Sequence, residues 1–184
     1  SIGDIVLTTS FLSTIKTQFP DSEVHFMTLD RFSSILENQP HIDRILELNS
    51  KSGYKDLSEL NIFIKKSKYD KIFDLHSSIR SLFITKGLRD IVSRIKKPRL
   101  LRFFLFQFHI NIFPRNFSAI YMYHQCLDLN GVSSFPSTVL AVSNLEKNIA
   151  KNMLKDYGVH NQFIVLVPGA AWERKQWSVE KYNE

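Results

Sequence analysis

The chain has 184 residues, with 24 Lys and Arg against 18 Asp and Glu and a formal net charge of +6. Hydrophobic residues make up 43% and charged residues 23%, a globular composition that excludes disordered, collagen-like and low-complexity chains. The single cysteine, Cys126, excludes an internal disulfide and fits a reducing compartment. The longest apolar runs, 103–106 and 163–167, are far shorter than the roughly 20 residues of a membrane span.

Helices and strands are predicted to alternate through the first half of the chain. Apolar residues recur at helical spacing from Ile5 to Phe19, and Pro20 ends that helix. Strands are predicted over 23–29, 42–48 and 71–75, and helices over 31–38, 57–66 and from Ser78 to about Leu88. Because this alternation is typical of βαβ units, we expect an α/β fold with a parallel sheet.

The second half contains a predicted domain boundary. Residues 100–113 fit either a strand, by alternation, or a helix with Leu101, Leu105 and Phe108 on one face. A helix is predicted over 118–130, and the segment 136–143 indicates a boundary. We therefore expect one domain over 1–141 and the start of a second over 142–184. The second is predicted to contain a helix over 145–157, a buried parallel strand over 163–167, a tight turn over 168–171 and a helix near Ser178.

The first candidate site is the segment 1–4, at the start of the first helix. Gly3 allows a ligand to approach the backbone closely, and a helix N-terminus favours negative charge. Asp4 is expected at the carboxyl edge of the sheet, where open α/β folds bind ligands, and a carboxylate there can act as a general base on a hydroxyl. The alternative is that Asp4 is an N-cap residue.

The second candidate site is the segment 74–80, at the end of the third predicted strand. His76 and Arg80 can bind an acidic or hydroxylated substrate in the same crevice, because arginine suits bidentate contact with carboxylate or phosphate. The alternative is that Ser77 or Ser78 caps a helix and that Arg80 is solvated.

The third candidate site is the turn that follows the strand predicted over 163–167. Small residues after a buried strand present free N–H groups that can cradle a phosphate, and Lys175 can place a positive charge against it. The turn residues are Gly169, Ala170 and Ala171. The alternative is a domain-entry loop with packed tryptophans and a solvated lysine.

A basic stretch over 86–102 is the fourth candidate, with Asp90 as its one acidic residue. It suits a phosphorylated glycolipid, an anionic membrane or nucleic acid, or else it is a solvated surface. The phenylalanines that follow, at 103, 104, 106 and 108, are expected in the core rather than against a membrane. The sequence has no paired histidine ligands and no Asp-x-Asp of the kind that metal-dependent sugar transferases use.

Three of these segments together resemble glycosyltransferase family 9, the lipopolysaccharide heptosyltransferase family. They are residues 1–9, residues 73–80, and residues 167–171 followed by 175–177, and they occur in the family's order at about its spacing. Ser10 departs from the family pattern, because many members have proline there. The resemblance covers nearly the whole chain.

The resemblance implies the GT-B fold, in which two Rossmann-like domains face each other across a cleft. The chain is then the N-terminal, acceptor-side domain without its first strand, joined to the truncated start of the nucleotide-sugar domain. We expect such a fragment to be inactive alone. Asp4 matches the general base and Lys175 the lysine that neutralises the departing diphosphate, beside the turn 169–171.

The implied reaction is an inverting, metal-independent transfer of a sugar, heptose from ADP-heptose, to an anionic lipid-linked oligosaccharide of the lipopolysaccharide core. The resemblance thus implies an enzyme of cell-envelope biosynthesis in the cytoplasm, at the inner face of the bacterial inner membrane. It needs no cofactor, allows peripheral membrane contact and involves no nucleic acid. Two alternatives stay open: a GT-B sugar-nucleotide epimerase, and a non-catalytic basic binding domain.

Overall fold

The computed structural model describes residues 1–115, 117–127, 134–167, 169–170 and 176–182. The chain divides into two compact units, Ser1–Ala141 and Val142–Glu184. The helices of the first unit are α1 (Ile2–Gln18), α2 (Tyr54–Lys66), α3 (Ile79–Ile84), α4 (Arg99–Phe108) and α5 (Ala119–His124). Its strands are β1 (His25–Leu29), β2 (Arg44–Leu48), β3 (Ile72–Asp74) and β4 (Val92–Arg94), and Asp30–Leu36 forms a 3₁₀ helix.

The strands form two parallel pairs. Strand β1 pairs with β2, with His25 opposite Arg44, and β3 pairs with β4, with Asp74 opposite Arg94. The α/β fold and the Rossmann-like parallel strand arrangement are therefore confirmed. Strand β4 was not predicted, since its short apolar pattern lies within the basic stretch 86–102.

Helix α1 supplies the centre of the hydrophobic core. Phe11 and Ile15 pack with Ile95, which follows β4, and with Met122 and Tyr123 of α5. Partly buried side chains next to β1, in β3 and around α5 complete the cluster. This packing fixes the N-terminus of α1 relative to the carboxyl end of β3 and to α5.

The buried polar side chains of α1 all have partners. Thr8 and Thr9 donate to the carbonyls three residues earlier, each at 2.7 Å. Ser10, which is fully buried, donates to the carbonyl of Pro136, and the backbone nitrogen of Val139 donates to the Thr9 hydroxyl at 3.0 Å. The segment 134–141 therefore runs along α1, and the serine that replaces the family's proline has a structural role here.

Helix α4 resolves the ambiguity over 100–113. Pro98 precedes the helix, and His109 ends it in a left-handed conformation with φ 57°. The expectation that the phenylalanines at 103, 104, 106 and 108 are core residues is wrong, because all four are exposed. Hydrophobic spacing left both a strand and a helix open for these residues, and it cannot show which side of a helix meets the rest of the molecule.

Two shorter elements also differ from the sequence prediction. The 3₁₀ helix Asp30–Leu36 stands where a helix over 31–38 was expected, and α3 ends at Ile84 rather than near Leu88. The backbone nitrogens of Thr85 and Lys86 donate to the carbonyls of Ser81 and Phe83 in the last turn of α3. Gly87 follows with φ 84°. A glycine in this conformation ends the helical direction of the chain.

The second unit contains α6 (Asn144–Asp156) and α7 (Val179–Tyr182). Ser143 caps α6 by accepting from the Glu146 backbone nitrogen, and the Glu146 carboxylate accepts from that of Ser143. The strand predicted over 163–167 is wrong, since these residues are exposed and form no strand with any described part of the chain. A continuous apolar run specifies burial, but a parallel strand forms only when a neighbour accepts its backbone hydrogen bonds.

None of the described helices is both long enough and apolar enough to cross a lipid bilayer.

Candidate functional site

Asp4 lies in the first turn of α1 with its carboxylate exposed. The N-cap residue is Ser1 rather than Asp4, and the two form a reciprocal capping box. Oδ2 of Asp4 accepts from the Ser1 nitrogen at 3.0 Å and from the Ser1 hydroxyl at 2.9 Å. Oδ1 accepts from the Tyr123 hydroxyl at 3.3 Å. One carboxylate oxygen therefore serves the helix end while the other faces α5.

The protonation states of this pair follow from their contacts. Partial burial acts to raise the pKa of Asp4, but the hydrogen bonds from the Ser1 nitrogen, the Ser1 hydroxyl and Tyr123 outweigh it, so the pKa is lowered. Burial, the Asp4 charge and the hydrogen bond to Asp4 raise the pKa of Tyr123 to about 12. At neutral pH an ionised carboxylate thus faces a protonated phenol that donates to it.

Asp74, the last residue of β3, holds the loop that carries His76. Its Oδ1 accepts from the backbone nitrogens of His76 at 3.1 Å and Ser77 at 2.7 Å. Its Oδ2 accepts from Arg94 Nε of β4 at 3.1 Å, and Arg94 also donates to the Thr85 hydroxyl. Because the Asp74 side chain is only 3% exposed, it positions the loop rather than contacting a substrate.

His76 is exposed above this loop, beside Ser77, whose φ of 47° is left-handed. Partial desolvation and the charge of Lys97 lower the pKa of His76, and the charges of Asp74 and Asp4 only partly oppose this. His76 is therefore neutral at pH 7. A neutral imidazole suits a hydroxyl better than an acidic group.

Two basic residues act electrostatically on this site, Lys97 on His76 and Arg102 on Tyr123. Lys97 follows the carboxyl end of β4, as His76 follows that of β3, and parallel strands bring these ends to one edge of a sheet. Its charge acts on His76, and the charge of Arg102 in α4 acts on Tyr123. The structure thus brings Asp4 and His76 together and adds basic groups from the stretch 86–102.

Tyr123 and Asp74 were not identified as site residues from the sequence. Tyr123 reads as one more apolar position of α5, and it is in fact only 4% exposed; nothing local indicates that its hydroxyl meets Asp4. Asp74 did carry a signal, because an aspartate that ends a strand just before a serine-rich turn commonly accepts backbone N–H bonds.

Arg80 lies apart from this cluster. Its Nη2 donates to the Ser50 carbonyl at 3.1 Å, and no hydrogen bond or ion pair in the described part of the chain joins it to Asp4 or His76. The predicted alternative, a helix capped by Ser78, is present: the Ser78 hydroxyl accepts from the Ser81 nitrogen at 3.2 Å. The role predicted for Arg80 stays a prediction.

The predicted phosphate turn belongs to the second unit and is only partly described. Gly169 is exposed, and a Cβ there would meet no atom within 4 Å. The Gln176 side chain donates to the Ala170 carbonyl at 2.9 Å. Ala171 and Lys175 lie outside the described residues, so the diphosphate-binding role of this turn stays a prediction.

The described residues show no cluster of metal ligands and no activated thiol. No group of three or more His, Cys, Asp or Glu residues is arranged to hold a metal ion within the described ranges, and the metal independence of the reaction stays a prediction. Burial and the charge of Asp74 raise the pKa of Cys126 to about 11, so its thiol is protonated and a poor nucleophile at neutral pH. A cavity of about 350 Å³ lies between α4 and α5 but does not include Asp4 or His76.

Comparisons with known proteins give two related findings. No protein-family model matches the chain. Over 90 residues the chain is 30% identical to lipopolysaccharide heptosyltransferase 1 of Campylobacter coli, a match covering 48% of this chain and 26% of that protein. The crystal structure of the glycosyl transferase family 9 from Veillonella parvula DSM 2008 matches with a TM-score of 0.74 and 19% identity, over 99% of this chain and 55% of that one.

The chain therefore spans about a quarter of the curated relative and just over half of the solved structure. The curated match is to a heptosyltransferase, and the structural match shows that the fold is that of a family 9 glycosyltransferase. Together they confirm the predicted resemblance of this chain to glycosyltransferase family 9, the heptosyltransferase family.

Proposed function

We propose that this chain is the acceptor-side part of a glycosyltransferase that transfers a sugar to a lipid-linked oligosaccharide of the lipopolysaccharide core. The observation that carries the proposal is the exposed Asp4 carboxylate at the N-terminus of α1, which accepts from Tyr123 and acts electrostatically on His76. The charges of Arg102 and Lys97 act in turn on Tyr123 and His76. An ionised carboxylate can take the proton from an acceptor hydroxyl as that oxygen attacks the sugar. The basic residues suit an acceptor that carries phosphate or carboxylate.

The donor is proposed to be a nucleotide sugar, with ADP-heptose as the specific candidate. Lys175 and the turn 169–171 are assigned to the departing diphosphate by their resemblance to the family motif. In this scheme the displacement inverts the anomeric centre in one step, and the fixed positive charge replaces a metal. We further propose that residues 1–184 alone do not catalyse transfer, since they match only 55% of the solved glycosyltransferase.

The same scheme places the protein in the bacterial cytoplasm, at the inner face of the inner membrane, where a lipid-linked acceptor and a soluble nucleotide sugar meet. A sugar-nucleotide epimerase of the same fold is the alternative enzyme. It would need no acceptor, and the basic surroundings of Asp4 favour a reaction that has one.

Asp4→Asn in the full-length protein tests the assignment of the general base. The amide keeps the size of the side chain and a hydrogen-bond acceptor but cannot take a proton. We expect transfer to fall by roughly 10²–10⁴-fold, the usual contribution of a general base, with the melting temperature lowered only slightly. Transfer is measured as nucleoside diphosphate released together with glycosylated acceptor.

The matched control is Asp21→Asn, an exposed aspartate that follows α1, and it should leave transfer unchanged. If Asp4→Asn retained activity within about tenfold of the parent, Asp4 would be a capping residue and not the base. An isomerised nucleotide sugar without acceptor would instead identify an epimerase, and no turnover with any nucleotide sugar would support the binding-domain alternative.

A further inference from the structure

Helix α4 exposes an apolar face that no described part of the chain covers. Phe106 is 77% exposed, Leu100 74%, and Phe103 and Phe108 54% each. The rings instead contact one another on the surface, with Phe103 and Phe108 centroids 5.8 Å apart and those of Phe104 and Phe108 5.9 Å apart. We refer to Leu100, Phe103, Phe104, Phe106 and Phe108 as the aromatic face.

The charges around the aromatic face are of one sign. From Ile91 to Leu127 the sequence contains no aspartate or glutamate. The basic residues of this segment are Arg94, Lys96, Lys97, Arg99, Arg102 and Arg115. Lys96, Arg99 and Arg102 are exposed, and Lys96 and Arg99 make no ion pair in the described part of the chain.

An exposed aromatic face with basic residues at its border is the composition of a helix that lies in the interface of a bilayer. Its apolar side chains enter the headgroup and acyl boundary, and its basic residues meet anionic headgroups. Single apolar residues scattered over a surface are ordinary, but a contiguous exposed apolar patch marks a site that binds a membrane or another protein.

The aromatic face could bind a second copy of this chain or a lipid surface, and the charge of the surrounding segment distinguishes these two partners. A second copy of this chain would place one acid-free basic segment against another, and like charges across an interface oppose association. An anionic lipid surface satisfies both the apolar and the basic groups at once. We propose that α4 is a peripheral membrane-binding helix that docks the first unit on anionic lipid.

The helix borders the candidate site. Arg102 of α4 acts electrostatically on Tyr123, and Lys97, just before the helix, acts on His76. Docking through α4 would therefore bring Asp4 close to the lipid surface. That a lipid-linked acceptor enters from that surface rests on the proposed function, whereas membrane binding by α4 does not.

Vesicle flotation of the full-length protein tests the proposal. The probes are vesicles of phosphatidylethanolamine with 30% phosphatidylglycerol, about the anionic fraction that gives a strongly negative surface, and vesicles of phosphatidylcholine alone. We expect binding to the anionic vesicles only, weakened by added salt because the charged groups are screened.

Phe103→Ser/Phe106→Ser should weaken vesicle binding at least tenfold, since each phenylalanine buried in the bilayer contributes strongly to binding. Lys96→Glu/Arg99→Glu should weaken it by more than about 30-fold, the loss expected from removing two basic charges, because each reversal also adds a negative charge that the anionic surface repels.

Two control pairs match these changes elsewhere on the surface. Ile62→Ser/Phe63→Ser removes apolar side chains of α2 that are 49% and 39% exposed, and Lys147→Glu/Lys151→Glu reverses two lysines of α6. Both should bind vesicles as the parent does. Equal loss in the controls, or no preference for anionic vesicles, would overturn the proposal.

Two further outcomes separate the remaining alternatives. If the protein is dimeric and Phe103→Ser/Phe106→Ser makes it monomeric while vesicle binding is absent, the aromatic face binds a second copy and the proposal fails. Sugar transfer to a deacylated, water-soluble acceptor should be unchanged in the same variant. Absence of that transfer in the parent protein counts against the proposed function and leaves the membrane result standing.

Discussion

The glycine and the aspartate at the start of α1 are the residues on which the candidate site depends. A Cβ on Gly3 would lie 3.9 Å from the Ser1 hydroxyl, which is an ordinary contact, and Gly3 has no positive φ. The described fold therefore gives no internal reason for glycine at this position. A close approach of substrate to the backbone beside Asp4 would give one.

Gly3→Ala tests whether glycine at this position is required by the fold or by a close approach of substrate. Because Gly3 lies within α1 and an alanine fits, the variant should be as stable as the parent or more stable by up to about 1 kcal/mol. If substrate approaches this backbone, the added methyl group should raise KM or lower kcat/KM for transfer by tenfold or more. Thermal unfolding and transfer kinetics are measured together, and Gly53→Ala, which also meets open space, is the control. An unchanged kcat/KM would remove Gly3 from the site.

At the scale of elements, the ends of β3 and β4 and the start of α1 build the site. Asp74 joins β3 to β4 through Arg94 and fixes the loop before α3 through two backbone hydrogen bonds. Ser77 in this loop has the left-handed conformation that costs a non-glycine residue roughly 1–2 kcal/mol. The buried carboxylate holds that conformation, so the position of His76 depends on a residue that is not itself in contact with solvent.

Asp74→Ala should lower the free energy of unfolding by about 3 kcal/mol, because it leaves Arg94 unpaired and removes the acceptor of two N–H groups. Asp74→Asn should cost less, since its amide oxygen still accepts from the loop. Urea denaturation measures both, with the exposed Asp90→Ala expected within about 0.5 kcal/mol of the parent. Equal losses for alanine and asparagine would show that the loop hydrogen bonds do not depend on this side chain.

At the scale of the whole first unit, α1 packs against α5 and its buried polar residues are hydrogen-bonded inside the core. His124 of α5 is fully buried. Its Nδ1 lies 2.8 Å from the Ile120 carbonyl and its Nε2 lies 2.8 Å from the Thr14 hydroxyl, and the centroid of the Phe135 ring is 4.1 Å from that of the imidazole. These contacts suit a neutral imidazole, and burial lowers the pKa of His124 below its usual 6.5.

The lowered pKa makes the stability of this unit depend on pH. The unfolded chain binds a proton at His124 below about pH 6.5, whereas the folded chain binds it only at a lower pH. This contribution to stability is therefore complete above about pH 6.5 and is lost as pH falls toward the folded pKa. We expect the free energy of unfolding, measured with urea, to decrease from pH 7.5 to pH 5. His124→Gln should be less stable but show a smaller decrease. His76→Gln, which changes an exposed side chain, should keep most of the decrease in the free energy of unfolding. If His124→Gln showed the same decrease as the parent, the pH dependence would not come from His124.

The sequence alone determined the α/β class and the order of the main helices and strands, and it predicted Asp4 near the start of a helix and His76 just after a strand. Periodicity, proline and glycine report local backbone preferences directly, which is why α1, α2 and α6 begin and end within a few residues of their predicted bounds. The three motifs in order also determined the resemblance to glycosyltransferase family 9, which the comparisons confirmed.

Only the tertiary structure decided which residues meet. Tyr123 reaches Asp4 across 119 positions of the sequence, Asp74 is paired with Arg94, and the phenylalanines of α4 are exposed. The run 163–167 is apolar but unpaired among the described residues. In each case the outcome depends on what lies opposite a side chain or a backbone edge, because burial and hydrogen bonding are properties of pairs of elements and not of one segment.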